Sequence, residues 1–177
     1  AALSRVQSDG PLPEYERLCA AWRAKNVPEK LVAVLPDAFD LSTVRVLEVM
    51  ESKDDHTTKL VCELHDGHRI ETVVMQHEGR TTVCVSSQVG CAMGCQFCAT
   101  GTMGIIGNLT TAEILEQAAY AGAIEQARGR NPPRNVVFMG MGEPLNNYRA
   151  VKGAIQGFCD QARFGLRKEH VTVSTVG

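Results

Sequence analysis

The chain has 177 residues, with 18 Lys+Arg against 20 Asp+Glu, a formal net charge of −2, 44% hydrophobic and 21% charged residues. This is ordinary globular composition, long enough for one or two domains with a buried core, and it excludes the disordered and fibrous classes. The longest apolar runs, such as Leu31-Val32-Ala33-Val34-Leu35, fall far short of a membrane span, and no charged start leads into an apolar stretch as in a signal peptide.

Residues 1–13 hold Ser8-Asp9-Gly10-Pro11 and a second proline at Pro13, and read as a frayed tail. Tyr15, Leu18, Cys19 and Trp22 recur at helical spacing, so a helix is expected over residues 14–24, ended by Asn26 and Pro28. A second short helix is expected over residues 29–35, stopping before Pro36-Asp37. From Val44 the apolar period falls to two. Val44, Val46 and Val49 open a β-rich stretch, and residues 58–64 and 68–75 flank Asp66-Gly67, a hairpin signal. Glu78-Gly79 marks a further turn. Residues 1–79 therefore read as an accessory region of helices followed by antiparallel strands.

The pattern then becomes strand, loop, helix, repeated. Residues 81–85 are a β-branched run, followed by a Gly- and Cys-rich loop to about Asn108. Thr110-Thr111 with Glu113 predicts a helix cap, and the helix should run to about Arg128. Asn131-Pro132-Pro133 is a linker. Residues 135–139 form a buried strand, a helix follows from Asn147 to about Ala162, and residues 171–176 form a third strand. Strands alternating with helices imply a parallel sheet with right-handed crossovers, so residues 80–177 read as an α/β region of about three βα units. A full eight-unit barrel takes about 250 residues, so the chain is expected to be the front part of a longer protein.

Charge divides unevenly. Residues 1–80 carry 10 Lys+Arg and 14 Asp+Glu, net −4, and residues 81–177 carry 8 and 6, net +2. Neither part has the basic stripe that announces nucleic-acid binding. Arg128, Arg130 and Arg134 could touch phosphate, although a solvated loop is the plainer reading. His56, His65, His68 and His77 flank the hairpin and read as surface or turn residues.

Seven cysteines, an odd number, argue against a secreted disulfide scaffold. Cys19 and Cys62 sit in apolar patterns and read as structural, and Cys159 reads as core. Cys91-Ala-Met-Gly-Cys95-Gln-Phe-Cys98 places three thiols within eight residues of a Gly-rich loop. Three thiolates can converge on one metal centre, and an iron–sulfur cluster held by three rather than four cysteines keeps one iron open to a ligand. A zinc site completed by a histidine is the rival, but its usual paired CxxC pattern is missing. The second constellation is Gly140-Met141-Gly142-Glu143-Pro144-Leu145, after a buried strand, where ligands of parallel sheets bind. Its glycines allow close backbone approach, and Glu143 could hold an ammonium group. Taken alone, the same residues could be a plain strand-to-helix turn.

The CxxxCxxC spacing, with an aromatic before the last cysteine, resembles the signature of the radical S-adenosylmethionine (SAM) superfamily. The Gly-Met-Gly-Glu-Pro run resembles that superfamily's GGEP motif, with Met141 as the departure. Together with Thr82-Val-Cys84-Val-Ser-Ser-Gln-Val-Gly-Cys91, residues 98–104, residues 137–148 and Val171-Thr-Val-Ser-Thr-Val-Gly177, the chain resembles the RlmN/Cfr class of radical SAM RNA methyltransferases over residues 56–177. Residues 1–50 match only loosely.

The resemblance implies the first part of a partial βα barrel after a small α+β accessory region. It implies a 4Fe-4S cluster on Cys91, Cys95 and Cys98, with SAM on its open iron. Phe97 would lie near the SAM adenine, Gly142 and Glu143 would meet the methionyl amine, and Ser174 would contact SAM. Cys84 would resolve a protein–RNA adduct and Glu71 would accept a proton from adenine, although alone they read as a buried and a solvated strand residue. The implied reaction is methylation of carbon 2 of adenine in ribosomal RNA and tRNA, the RlmN type, rather than carbon 8, the Cfr type. It proceeds through a methyl-cysteine that this chain lacks. An external electron donor such as flavodoxin or ferredoxin, a monomer and a cytoplasmic location are implied as well. The competing expectations are a radical SAM enzyme with another substrate and an inactive iron–sulfur or zinc-binding fragment.

Overall fold

The computed structural model describes residues 3–6, 26, 28–38, 42–77 and 79–177. A seven-stranded mixed sheet organises the described residues. Its strands are β1 (Leu3–Val6), β2 (Val44–Ser52), β3 (Thr57–Leu64), β4 (Arg69–His77), β5 (Arg80–Cys84), β8 (Asn135–Phe138) and β9 (Val171–Val173), in that spatial order. The first five are antiparallel neighbours; β5, β8 and β9 are parallel. Helix α1 (Glu29–Ala38) precedes β2, α2 (Thr111–Ala127) precedes β8, and α3 (Tyr148–Cys159) precedes β9. A separate two-stranded ribbon, β6 (Gln88–Cys91) with β7 (Gly104–Asn108), rises between β5 and α2.

The β3–β4 hairpin forms where Asp66-Gly67 predicts it. Gly67 takes φ +82 and its N–H donates to the Leu64 carbonyl at 3.0 Å, while Asp66 Oδ1 accepts from His68 N at 3.0 Å. Strand β3 alternates half-buried and buried along its length, so one sheet face meets the core. That face, with Leu60, Ile70, Val74, Val83, Val136 and Phe138, packs against Ile114, Ala118 and Ala121 of α2 and Val151, Ala154 and Phe158 of α3. Phe158 meets Phe138 edge-on at 6.2 Å and Phe164 at 5.1 Å. Burying each such ring is worth about 1.5–3 kcal/mol. Helix α2 opens with the expected capping box: Thr110 Oγ1 accepts from Glu113 N at 3.2 Å and Glu113 Oε2 from Thr110 N at 2.6 Å.

The parallel α/β fold is as the sequence implies, and several details differ. A strand, β1, lies in the stretch read as a frayed tail, recruited by the exposed edge of β2 (Leu3↔Ser52). Helix α1 continues past Pro36 to Ala38, a proline near a helix end removing only one backbone hydrogen bond. The Gly-rich loop after β5 contains the β6–β7 ribbon. A Cβ on Gly90 (φ +72) would lie 1.9 Å from the Gly104 carbonyl oxygen, so a glycine there is what lets the two strands touch. Helix α3 is shorter than expected at both ends, with a 3-10 turn at Pro144–Asn147 before it. Strand β9 stops at Val173 because Thr175 and Val176 turn to Glu143 instead. The helix expected over residues 14–24 lies outside the described residues. No helix among the described residues is long and apolar enough to cross a membrane.

Candidate active site

Strands β5, β8 and β9 run parallel, so their carboxyl ends form one edge of the sheet. Ligands of such sheets bind at that edge. It carries Cys84, the segment Ser86-Ser87-Gln88, the loop 139–143, and Ser174 just beyond β9.

Register fixes the faces. Val83 pairs with Val136 toward the helices, so Cys84, paired with Val137 and with Val73, points away from them. Glu71 is two residues from Val73 and shares that face, as does Lys59, paired with Val73. Cys84 and Glu71 are therefore diagonal neighbours on one side of the sheet. Cys84 is buried, and that burial pushes its thiol above the ordinary value, a hydrogen bond with the Met139 backbone opposing it only in part. Glu71 is half-exposed; its carboxylate accepts from Lys59 Nζ at 2.9 Å and its carbonyl from Ser86 Oγ at 2.6 Å.

Loop 139–143 is laced to the segment after β5. Ser87 N and Gln88 N both donate to the Met141 carbonyl, at 2.8 and 3.1 Å. Met141 N donates to Ser86 Oγ at 2.9 Å, and Glu143 N to Gln88 Oε1 at 2.9 Å. Asn147 Nδ2 donates to the carbonyls of Ser87 at 2.8 Å and Leu109 at 2.7 Å. A Cβ on Gly140 would lie 2.8 Å from Ser86 Oγ and from the Val85 carbonyl, and one on Gly142 (φ +100) 2.5 Å from Gln88 Cβ. Both glycines let the protein's own chain approach this loop closely.

Glu143 is buried at 5% exposure. Burial opposes its charge, yet hydrogen bonds from Leu145 N (3.0 Å), the Thr175 side chain and Val176 N (3.1 Å) outweigh it and hold the carboxyl below its ordinary value. These three donors leave one of the roughly four acceptor directions of a carboxylate for a further N–H. Ser174 is exposed beside Thr175.

The cysteine loop is built differently. Cys91 ends β6 and is buried, whereas Cys95 and Cys98 are half-exposed, and all three are free thiols. Backbone turns organise residues 95–103: Cys98 N donates to the Cys95 carbonyl at 3.0 Å, Gly101 N to Cys98 at 3.1 Å and Met103 N to Thr100 at 3.1 Å. Among the described residues, no three or more His, Cys, Asp and Glu side chains are gathered so as to hold a metal ion. The donor set fits an iron–sulfur centre by its chemistry: three soft thiols, with no carboxylate or imidazole between residues 91 and 103 to compete. Gly94 (φ +61) and Gly101, whose Cβ would lie 3.0 Å from Cys95 N, let that loop fold tightly on itself. Phe97 is 92% exposed.

A sequence profile described as the radical SAM superfamily matches residues 85–177. The chain belongs to the radical SAM superfamily. Membership implies SAM and an iron–sulfur cluster, and the matched region begins one residue after Cys84, at the edge where the loops converge. The chain is 45% identical to a "Probable dual-specificity RNA methyltransferase RlmN" of Moorella thermoacetica, over 95% of this chain and 51% of that protein. It is 45% identical to a "Dual-specificity RNA methyltransferase RlmN" of Anaeromyxobacter sp., over 86% and 41%. A radical SAM methyltransferase from Sphaerobacter thermophilus has a solved structure that superposes with a TM-score of 0.83 at 37% identity, covering 94% of this chain and 47% of that one. The resemblance to the RlmN/Cfr class read from the motifs thus returns in whole-chain similarity. The radical SAM chain described here spans about half the length of these relatives.

Sequence reading missed Ser86, Ser87, Gln88, Gln117 and Asn147. Gln117, fully buried on α2, accepts from Thr72 Oγ1 at 2.9 Å and Ser86 N at 2.8 Å, and donates to the Ser86 carbonyl at 3.0 Å. Three polar residues directly after an apolar strand were the available signal. Arg128 and Arg130, for which a solvated loop was the plainer reading and phosphate contact the other, are held by carboxylates: Arg128 pairs with Glu51 and the fully buried Glu125, and Arg130 with Glu125 at 3.6 Å. Arg134 is exposed.

Proposed function

We propose that the protein carrying this chain is a radical SAM RNA methyltransferase acting on carbon 2 of adenine in ribosomal RNA and tRNA. The observation that carries the reading is that Cys84 and the Glu143 loop lie at the carboxyl end of the parallel strands, with the Glu143 loop hydrogen-bonded to β6, the strand that ends in Cys91, in a superfamily member whose relatives bear the RlmN name. Cys91, Cys95 and Cys98 would hold a 4Fe-4S cluster, at which reductive cleavage of SAM supplies radical chemistry to a ring carbon that is not nucleophilic. Glu143 has one acceptor direction left for the methionyl ammonium, with Gly142 and Ser174 beside it. Phe97, free of the protein surface, is available to the SAM adenine. Cys84 stays a neutral thiol through burial until it resolves the protein–RNA adduct, and Glu71, on the same sheet face, takes the adenine proton.

The methyl-carrying cysteine of this reading lies beyond residue 177, and Cys159, half-buried at the end of α3, does not serve. The 177-residue chain then forms its cluster loop but does not turn over. The electron comes from an external donor such as flavodoxin or ferredoxin, and the enzyme works as a cytoplasmic monomer. The test is anaerobic methylation of ribosomal RNA by the full-length protein with methyl-deuterated SAM, read by mass spectrometry. The expected product is 2-methyladenosine. 8-Methyladenosine would assign the Cfr type, and unmodified RNA beside SAM cleavage would assign another substrate. 2-Methyladenosine made by the 177-residue chain alone would overturn the account of the missing cysteine.

A further inference from the structure

Two halves of the candidate site are carried by different parts of the chain. The cysteines lie on β6 and the loop that follows it, whereas Glu143 lies on the loop after β8. Most hydrogen bonds between these parts use backbone groups or stop at residues 86 and 87. At the exposed surface Asn146 Nδ2 donates to Met93 Sδ, in the cysteine loop, at 3.5 Å, and a buried side chain reaches Glu143 itself. Gln88 opens β6, three residues before Cys91, and is almost fully buried. Its Oε1 accepts from Glu143 N at 2.9 Å and its Nε2 donates to Asn108 Oδ1, at 2.7 Å, on the facing strand β7. Its backbone N donates to the Met141 carbonyl, and its Cβ and Cγ fill the space a side chain at residue 142 would need.

A buried amide with both ends satisfied at short distance is a directional connector, since losing either bond leaves a buried polar group unpaired. We propose that Gln88 is a positioning residue that fixes Glu143 relative to the cysteine loop and so sets the affinity for the α-amino-acid end of SAM. The proposal rests on the reading of Glu143 and of Cys91, Cys95 and Cys98 given above. Gln88 does not itself touch the ligand. It acts through the Glu143 backbone N–H, whose direction sets where the carboxylate stands, and through Asn108, which ties the same amide to the ribbon that Cys91 ends.

Two readouts test it. In the cluster-free chain, Gln88→Met keeps the volume of the side chain and removes both bonds. Amide hydrogen exchange at Glu143 should then speed up roughly tenfold, with Ile114 and Phe158 in the core unchanged. In the reconstituted chain, Gln88→Met should keep iron and sulfide content while weakening the SAM-dependent change in the EPR spectrum roughly tenfold in SAM concentration, in the range of supporting residues elsewhere. Asn108→Ala should show a smaller loss, and Asn108→Asp, which keeps the acceptor, should match wild type. In a Glu143→Gln background, Gln88→Met should add no further loss. Unchanged exchange at Glu143, or an unchanged SAM titration, overturns the positioning role while leaving the site reading intact. A wild-type cluster that ignores SAM removes the site reading and this proposal with it.

Discussion

Two loops meet at the carboxyl edge of the parallel strands, and they are finished to different degrees. The loop that ends at Glu143 is buried, glycine-fitted and hydrogen-bonded residue by residue to Ser86, Ser87 and Gln88. The cysteine loop is a string of backbone turns with half-exposed Cys95 and Cys98, an exposed Phe97 and thiols that are not gathered on a metal position. The carboxylate is thus pre-organised by hydrogen bonds from distant parts of the chain, whereas residues 95–103 are held by their own backbone turns. Preformed sites cost less ordering on binding, and metal sites draw part of their order from the metal.

The largest effect is expected at the cysteines. Replacing any one of Cys91, Cys95 or Cys98 by Ala should abolish cluster formation in anaerobic reconstitution while leaving far-UV circular dichroism unchanged. A second loss belongs to the finished loop. Gly142→Ala places a Cβ 2.5 Å from Gln88 Cβ and 2.7 Å from Gln88 N, at φ +100. It should lower stability by about 3 kcal/mol in denaturant titration, whereas Gly94→Ala, also at positive φ but with open space around it, should cost about 1 kcal/mol.

Glu143→Gln separates charge from scaffold. It should weaken the SAM response of the reconstituted cluster at least about tenfold while the chain remains folded at pH 7. Because folding holds the Glu143 carboxyl below its ordinary 4.5, its contribution to stability is present above that value and is lost as pH falls through the lower, folded value. Acid unfolding below pH 4.5 should therefore be less steep in Glu143→Gln than in wild type. Thiol labelling sharpens the contrast further. At pH 8, iodoacetamide should modify Cys95 and Cys98 at least about tenfold faster than Cys84, which burial keeps protonated, and Cys62, whose thiol burial pushes up to about 11. The smallest effect belongs to Phe97→Ala, which should change stability by less than about 0.5 kcal/mol because the ring touches so little of the protein.

The legible parts of the chain were those written in local chemistry. Asp66-Gly67 announces its turn, Thr110 and Glu113 announce the start of α2, and strands alternating with helices announce the parallel sheet. The cysteine spacing and the Gly-Met-Gly-Glu-Pro run led to the superfamily. What stayed hidden was written in distant contacts. Gly90 gives no local sign of β7 lying against it, and Gly140 and Gly142 give none of the close approach of Ser86 and Gln88. Arg128 looks like part of a solvated loop until Glu51 and Glu125 are seen to pair with it. Gln88 and Gln117 show no period and no motif, because a buried amide is defined by partners 20 to 55 residues away. Glu71 and Cys84 came from resemblance, and only strand register reveals that they share a face.

The most direct measurement is EPR of the chain after anaerobic reconstitution with iron and sulfide and reduction, with and without SAM. The account predicts a four-iron signal that SAM alters, because the Glu143 loop is tied to β6, the strand that ends in Cys91. A cluster signal that SAM leaves untouched, or zinc bound in place of iron and sulfide, would contradict it.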